Sequence, residues 1–391
     1  MSSEFSDRDA STAAPAALAL DTAIAATGLH VETRERPKLE RVIARTLAPG
    51  ADRVDDATFR AALCTVRRKP WGSRLMDMTR RAGQVWITRA DAESAATTLD
   101  DPEPDDARLL AALRPVIRAR LREQGLRIES PFGDATLQPQ LATADTLKGF
   151  YDVVVLSCKA YDLQSAIDAI RPAVGPDTAV LPIMNGVLQY DVLDREFEPH
   201  RVLGGLCQIN ATLGPEGQVV HLGKHASIVF GERAGPARSP RCEALAEALA
   251  GGEYVSRLSE DIYQDIWEKY VFLTTLAAAT CLMRGTVGQI ASTDDGADIV
   301  RGLLRESQAV AAASGHAVRP EADANALNIL TDPSQPMTAS MFRDLRQGLP
   351  VEADHIVGDM VRRARTLGVD ATTLRTAYTH LQVYQAQRAA A

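Results

Sequence analysis

Two lysines, an asparagine, a serine and a glutamate have side chains suited to binding and protonating a small polar molecule. The most conspicuous is Lys269, inside the apolar run "IWEKYVFLTTLAAAT" from Ile266 to Thr280. A helix repeats every ~3.6 residues, so Ile262, Ile266, Phe272, Leu273 and Leu276 share its face. Two readings are open. The lysine could snorkel, its stem packed and its head in water or paired with Asp265 one turn earlier. Alternatively it lines a cleft, partly desolvated, and donates a proton to an oxygen that gains negative charge during a reaction.

Lys159 follows "VVVLSC", and Asn185 follows "TAVLPIM" with Gly186 behind it to allow close backbone approach. Singly these read as well as a solvated loop lysine and a turn dipeptide. What favours function is their shared place beyond the carboxyl ends of two strands, where open parallel sheets bind ligands. The stretch "SMFRDLRQGLPVEADHIVGDMVRRA" adds Ser340 and Glu352 on either side of a Gly348–Pro350 break. Ser340 serves equally as a helix N-cap, and Glu352 as a favourable charge at the start of the next helix. The break folds one helix back on the other, which could bring both residues to one surface.

The elements that must position these groups fall into three stretches. Residues 1–112 are rich in Ala, Arg, Asp and Thr and show no convincing strand; short helices are expected at Lys38–Thr46 and Thr58–Val66. The acidic, proline-broken "TTLDDPEPDDARL" reads as an exposed linker. Residues 113–259 hold two short strands around a turn at Phe132–Asp134. The run "YDVVVLSC" then suggests a strand buried on both faces, "DLQSAIDAIRPAVG" a helix, and "TAVLPIMNG" a second buried strand. Strand, helix and strand in so short a span make a right-handed parallel βαβ unit. "QINATLGPEGQVVHLG" and "ASIVFGE" add short strands joined through a Gly214–Gly217 turn. Residues 260–391 read as helices at 260–282, 296–314, 320–330, 338–347, 352–367 and 372–388. The expected class is α/β: a Rossmann-like, mostly parallel sheet domain, lacking a clear N-terminal opening, followed by an all-helical C-terminal domain.

Composition narrows the partners. The chain has 391 residues, 46% of them hydrophobic and 24% charged, as in ordinary globular proteins. A formal net charge of −8 disfavours nucleic acid and anionic membranes as partners, though a local basic pocket could still hold an anionic small molecule. The five cysteines are scattered without CxxC spacing, which points to a reduced, cytoplasmic setting. The seven histidines form no HExxH or cluster, so no metal is expected. The apolar stretch from Ala14 is broken by Asp21 and is too short to span a membrane.

In this order, "LREQGLRIESPFGD", "VVVLSCKAYDL", "LPIMNGV", "DIWEKYVFL" and "SMFRDLRQGLPVEADHIVGDMVRRA" resemble the ketopantoate reductase (2-dehydropantoate 2-reductase) family over about residues 113–387. The resemblance implies NADPH-dependent reduction of a 2-keto acid such as 2-dehydropantoate to the 2-hydroxy acid, as in pantothenate biosynthesis. It also implies a Rossmann domain for the cofactor and a helical domain for substrate and dimerisation, with a homodimer left open. By the same likeness Lys269 is the general acid and Glu352 the active-site glutamate. Ser340 contacts substrate, Asn185 stands between substrate and cofactor, Lys159 lies beside the cofactor, and Arg114 matches the basic residue that reads the 2′-phosphate. Hydride reaching a ketone carbon leaves charge on its oxygen, which a lysine can stabilise and protonate.

Two departures stand out. No GxGxxG occurs; before "LRP", where the family has its strand and glycine-rich turn, stands "LDDPEPDDARLLAA". That leaves room for a cofactor-free remnant that binds or scaffolds. Leu273 and Ala277 occupy positions where the family commonly has asparagines, which suggests a drier pocket and a different small carbonyl substrate.

Overall fold

Residues 17, 19–27, 29–46, 53–81, 89–104, 106–214 and 216–390 are described by a computed structural model. They group into two compact units: Met1–Ile128 with Ala135–Pro139 and Leu213–Val219, and Glu129–Asp134 with Gln140–Thr212 and Val220–Ala391.

The first unit is mainly helical, with α1 (Arg36–Thr46), α2 (Asp56–Arg81), α3 (Arg89–Thr97), α4 (Asp106–Ala111) and α5 (Leu113–Gln124). α1 and α2 contain the two short helices expected from sequence, and α2 runs well past its own. Leu39, Ile43, Phe59 and Leu63 bury in one apolar cluster, and Trp71, Ala96 and Leu109 in another. Alanines supply much of this burial, which is why the sequence shows so little periodicity here. After α5, β1 (Leu126–Glu129) pairs antiparallel with β2 (Ala135–Leu137), Leu126 opposite Leu137. These are the two short strands expected around the Phe132–Asp134 turn.

The second unit opens with the βαβ element. β3 (Val153–Leu156) leads through α6 (Leu163–Ile170) to β4 (Ala179–Pro182), and the strands pair in parallel with Val153 opposite Ala179. Ile167 on α6 is wholly buried, as its spacing predicts. β4 is buried along its whole length. β3 is not: Val155 is 50% exposed, which corrects the expectation of a strand covered on both faces. Its one partner strand among the described residues is β4, so no second strand, with the helix it would bring, covers the far side.

α7 (Leu188–Phe197), β5 (Gly204–Leu213), β6 (Val219–Gly231), α8 (Pro240–Ala248) and β7 (Val255–Leu258) follow. β5 lies beside β6, and β7 pairs with β6 in parallel, Val255 opposite Ser227. β6 takes up as one long strand what Gly223 and Lys224 divide in the sequence.

The rest is helical, as expected: α9 (Ile262–Met283), α10 (Val287–Ala291), α11 (Gly296–Ala313), α12 (Pro320–Leu330) and α13 (Ser340–Arg346). A π-helical turn, Asp354–Gly358, then runs into α14 (Asp359–Leu367), and α15 (Thr372–Ala390) closes the chain. α9 is the central helix. Asp261 caps its start by accepting from the Gln264 amide at 3.1 Å, and Ala277, Ala278 and Ala279 let neighbouring helices approach it closely. Among the described residues no helix is long and apolar enough to cross a membrane.

Candidate active site

Lys269 sits two turns into α9, and its surroundings differ from those that snorkelling toward Asp265 would give. Asp265, the pairing partner that snorkelling would use, is taken: it accepts from Ser259 Oγ (2.6 Å), Arg257 (2.8 Å) and Arg319 (2.6 Å). The lysine turns the other way. Its Nζ donates to Asn185 Oδ1 (3.1 Å) and to the Cys207 carbonyl (2.7 Å). The ammonium thus has two oxygen partners, neither of them charged. Burial pushes it down from an ordinary 10.5 to about 8, and negative charge on Glu352, or on Cys207 when ionised, acts the other way.

Asn185 reaches this position because β4 ends just before it and the chain turns sharply at Gly186, whose φ is +84°. A side chain at Gly186 would also meet the His355 ring at 3.0 Å, so glycine is required on both counts. Cys207 lies on β5, which brings its carbonyl to the lysine.

Lys159, at the end of β3, meets carboxylates instead. Its Nζ donates to Asp344 Oδ2 at 2.9 Å and lies 3.4 Å from Glu352 Oε2. The other Glu352 oxygen accepts from the backbone N–H of Ala160 at 3.0 Å. Burial opposes the charge on Lys159, but Glu352 and Asp344 outweigh it and its pKa is raised. Glu352 is only 5% exposed, so its two oxygens are held by partners rather than by water.

The π-helical turn that follows Glu352 is clamped from α9. Tyr270, next to the site lysine, is buried, and its single hydroxyl proton is shared between two acceptors, the Ile356 carbonyl (2.8 Å) and Asp359 Oδ2 (3.0 Å). Gly358 closes the turn by donating to the Ala353 carbonyl at 2.8 Å; a side chain there would strike the Tyr378 ring at 2.7 Å. One residue of α9 therefore points into the site while its neighbour fixes the segment that carries the glutamate.

Lys269, Asn185, Lys159 and Glu352 are thus brought together. Ser340 begins α13 but does not cap it: the cap is Ala339, with no side-chain bond, and the Ser340 hydroxyl makes no hydrogen bond among the described residues. Asp344, one helical turn beyond it, is the α13 residue that meets Lys159. Sequence reasoning missed Asp344, although the i, i+4 spacing from Ser340 places both on one helix face. The side chain of Arg114, in α5, lies outside the described residues.

Two family models match this chain: ketopantoate reductase PanE/ApbA over residues 96–235, and its C-terminal part over residues 261–385. The chain is 34% identical over 269 residues to the uncharacterized oxidoreductase YkpB of Bacillus subtilis, covering 69% of this chain and 88% of that one. The chain belongs to the ketopantoate reductase PanE/ApbA family. Another member, the 2-dehydropantoate 2-reductase of Halobacterium salinarum, is 28% identical over 66% of this chain and 84% of its own. Among solved structures, 2-dehydropantoate 2-reductase from Methylococcus capsulatus superposes with a TM-score of 0.60 at 27% identity, covering 69% of this chain and 86% of the other. D-mandelate dehydrogenase, solved with NADH and anilino(oxo)acetate, has a TM-score of 0.62 at 20% identity over 69% of this chain and 88% of that one, a likeness of fold.

Family membership raises the question of a nicotinamide dinucleotide, and the described residues answer it differently at its two ends. Asn185, the glycine turn behind it and Lys159 stand at the carboxyl ends of β4 and β3, where open parallel sheets bind ligands. The pyrophosphate end needs backbone N–H groups at a turn between a strand and a helix. The described residues upstream of β1 form helices and contain no strand, so they supply no such cradle.

Proposed function

We propose that this ketopantoate reductase family member reduces a 2-keto acid to the 2-hydroxy acid, with 2-dehydropantoate the first substrate to test and NADPH the first cofactor. The observation that carries this reading is the Lys269 ammonium, buried against Asn185 Oδ1 and the Cys207 carbonyl with its pKa near 8. A nicotinamide cofactor would supply the hydride. Lys269 holds the substrate's keto oxygen and gives it a proton as charge develops there, becoming a neutral amine that solvent reprotonates. A pKa near the working pH suits this exchange, because the lysine both carries the proton and releases it readily.

Asn185 keeps the amine in one orientation, and Glu352 positions the substrate or its new hydroxyl. Ser340, whose hydroxyl makes no hydrogen bond among the described residues, is the proposed substrate contact on the family resemblance. Lys159 supplies a fixed positive charge beside the cofactor, and Arg114 is the candidate reader of its 2′-phosphate. The test follows oxidation of NADPH and of NADH across a panel of 2-keto acids, with Lys269→Ala as control. Turnover lost in the variant supports the assignment; no turnover with any pair refutes it.

A second reading is favoured by the helices that stand before β1: the site binds a 2-keto acid without reducing it. Calorimetric titration with NADPH separates the two. Saturable binding in the micromolar range, about −8 kcal/mol, refutes the second reading.

A further inference from the structure

Asn185 is held from behind by two buried side chains to which no role attaches so far. Gln189, on the first turn of α7, donates through Nε2 to the Gly186 carbonyl at 2.9 Å. That bond fixes which end of its amide is which, so Oε1 is the atom that meets His355 Nε2 at 2.9 Å. The imidazole must then carry its proton on Nε2 and donate it. The same ring fills the space beside Gly186 that a Cβ would take, at 3.0 Å, and the Asn185 carbonyl lies against it. Gln189 is 1% exposed and His355 9%, so water does not compete for either bond. His355 itself sits in the π-helical turn three residues after Glu352.

We propose that His355 and Gln189 are positioning residues: the chain Glu352 segment, His355, Gln189, Gly186 locks the turn that aims Asn185 Oδ1 at Lys269, and so sets the lysine's orientation. It ties the glutamate wall of the site to the asparagine wall through a route separate from substrate. The proposal rests on the reductase reading for its kinetic consequences but not for its geometry. A merely structural pair would lower stability when altered and leave the lysine's titration alone. A positioning pair alters the lysine's surroundings even when the fold survives.

The experiment uses the full chain with His355→Leu, which keeps apolar bulk but donates nothing, His355→Gln, which restores a side-chain N–H, and Gln189→Met. Lys269 is followed by carbon-13 NMR of the isotopically labelled lysines, assigned with Lys269→Ala, and its titration midpoint is read without any turnover. Turnover is measured beside it. His355→Leu and Gln189→Met are expected to move the Lys269 midpoint and to lower kcat about tenfold, the equivalent of one net hydrogen bond, with KM within about twofold. His355→Gln should recover most of both. If His355→Leu does not fold, Gln189→Met carries the test. An unchanged midpoint in a folded variant, or a His355→Gln variant no better than His355→Leu, overturns the proposal. Wild-type protein that reduces no 2-keto acid while its midpoint still moves in the variants refutes the reductase reading and leaves the positioning intact.

Discussion

The end of β3 and the middle of α9 each deliver a lysine to the same site, and the two are treated in opposite ways. Lys159 meets Asp344 and Glu352, and the carboxylates keep it charged against the cost of burial. Lys269 meets an amide oxygen and a backbone carbonyl, and burial prevails, leaving a pKa of about 8. One ammonium is a fixed charge, the other a group that can part with its proton near neutral pH. The difference lies in the nearest oxygens, charged beside Lys159 and neutral beside Lys269, and in depth, the Lys159 side chain being 37% exposed.

The largest expected effect breaks the comparison at its sharper end. Lys269→Ala should lower kcat by about 10²–10⁴-fold, the usual range for a positioned general acid, with circular dichroism unchanged. Lys159→Ala should act mainly on KM for the cofactor, about tenfold, since it removes an anchoring charge rather than a proton donor. Equal kcat losses in the two variants would sink the division of labour.

Next comes pH. Reduction needs Lys269 protonated, so its rate should fall as pH rises through about 8, while oxidation of the 2-hydroxy acid, which needs the neutral amine, should rise through the same midpoint. A flat profile between pH 7 and 9.5 would contradict the assignment. Glu352→Gln sharpens the point. The carboxylate favours the charged lysine, so its loss should shift the midpoint below 8. A shift upward would mean that Glu352 acts through water entry and not through its charge.

Some of this was legible in the sequence. Helical spacing placed Lys269 on an apolar face, and strand ends placed Lys159 and Asn185 together, because those patterns are local. The βαβ element and the C-terminal helices were legible for the same reason. α10 was overlooked although "TVGQ" carries the capping-box pattern, and Thr286 and Gln289 do form that box. What spacing could not give was which oxygen each lysine meets. Asp344, Cys207, Gln189 and His355 reach the site through tertiary packing from four separate elements. The half-exposed β3 was misjudged because an unbroken valine run says a strand is apolar, not that anything covers it.

The smallest effect tests the cost of the difference between the lysines. The folded pKa of Lys269 is about 8 and its ordinary value 10.5, so between those limits the unfolded chain binds more protons. Stability therefore rises with pH across that window, and at pH 7 the full penalty of burying the charge is present, bounded at ~3 kcal/mol. Lys269→Met removes the penalty but also loses the bonds to Asn185 and Cys207, which offset ~1–2 kcal/mol. In urea unfolding the variant should be about 1 kcal/mol more stable than wild type at pH 7 and should lose that advantage by pH 10.5, where the wild-type lysine is neutral. No such gain comes from Lys159→Met, because removing a cation between Asp344 and Glu352 leaves two carboxylates facing each other. A Lys269→Met advantage that is the same at both pH values would mean that packing, not charge, sets the penalty, and the contrast between the two lysines would lose its electrostatic basis.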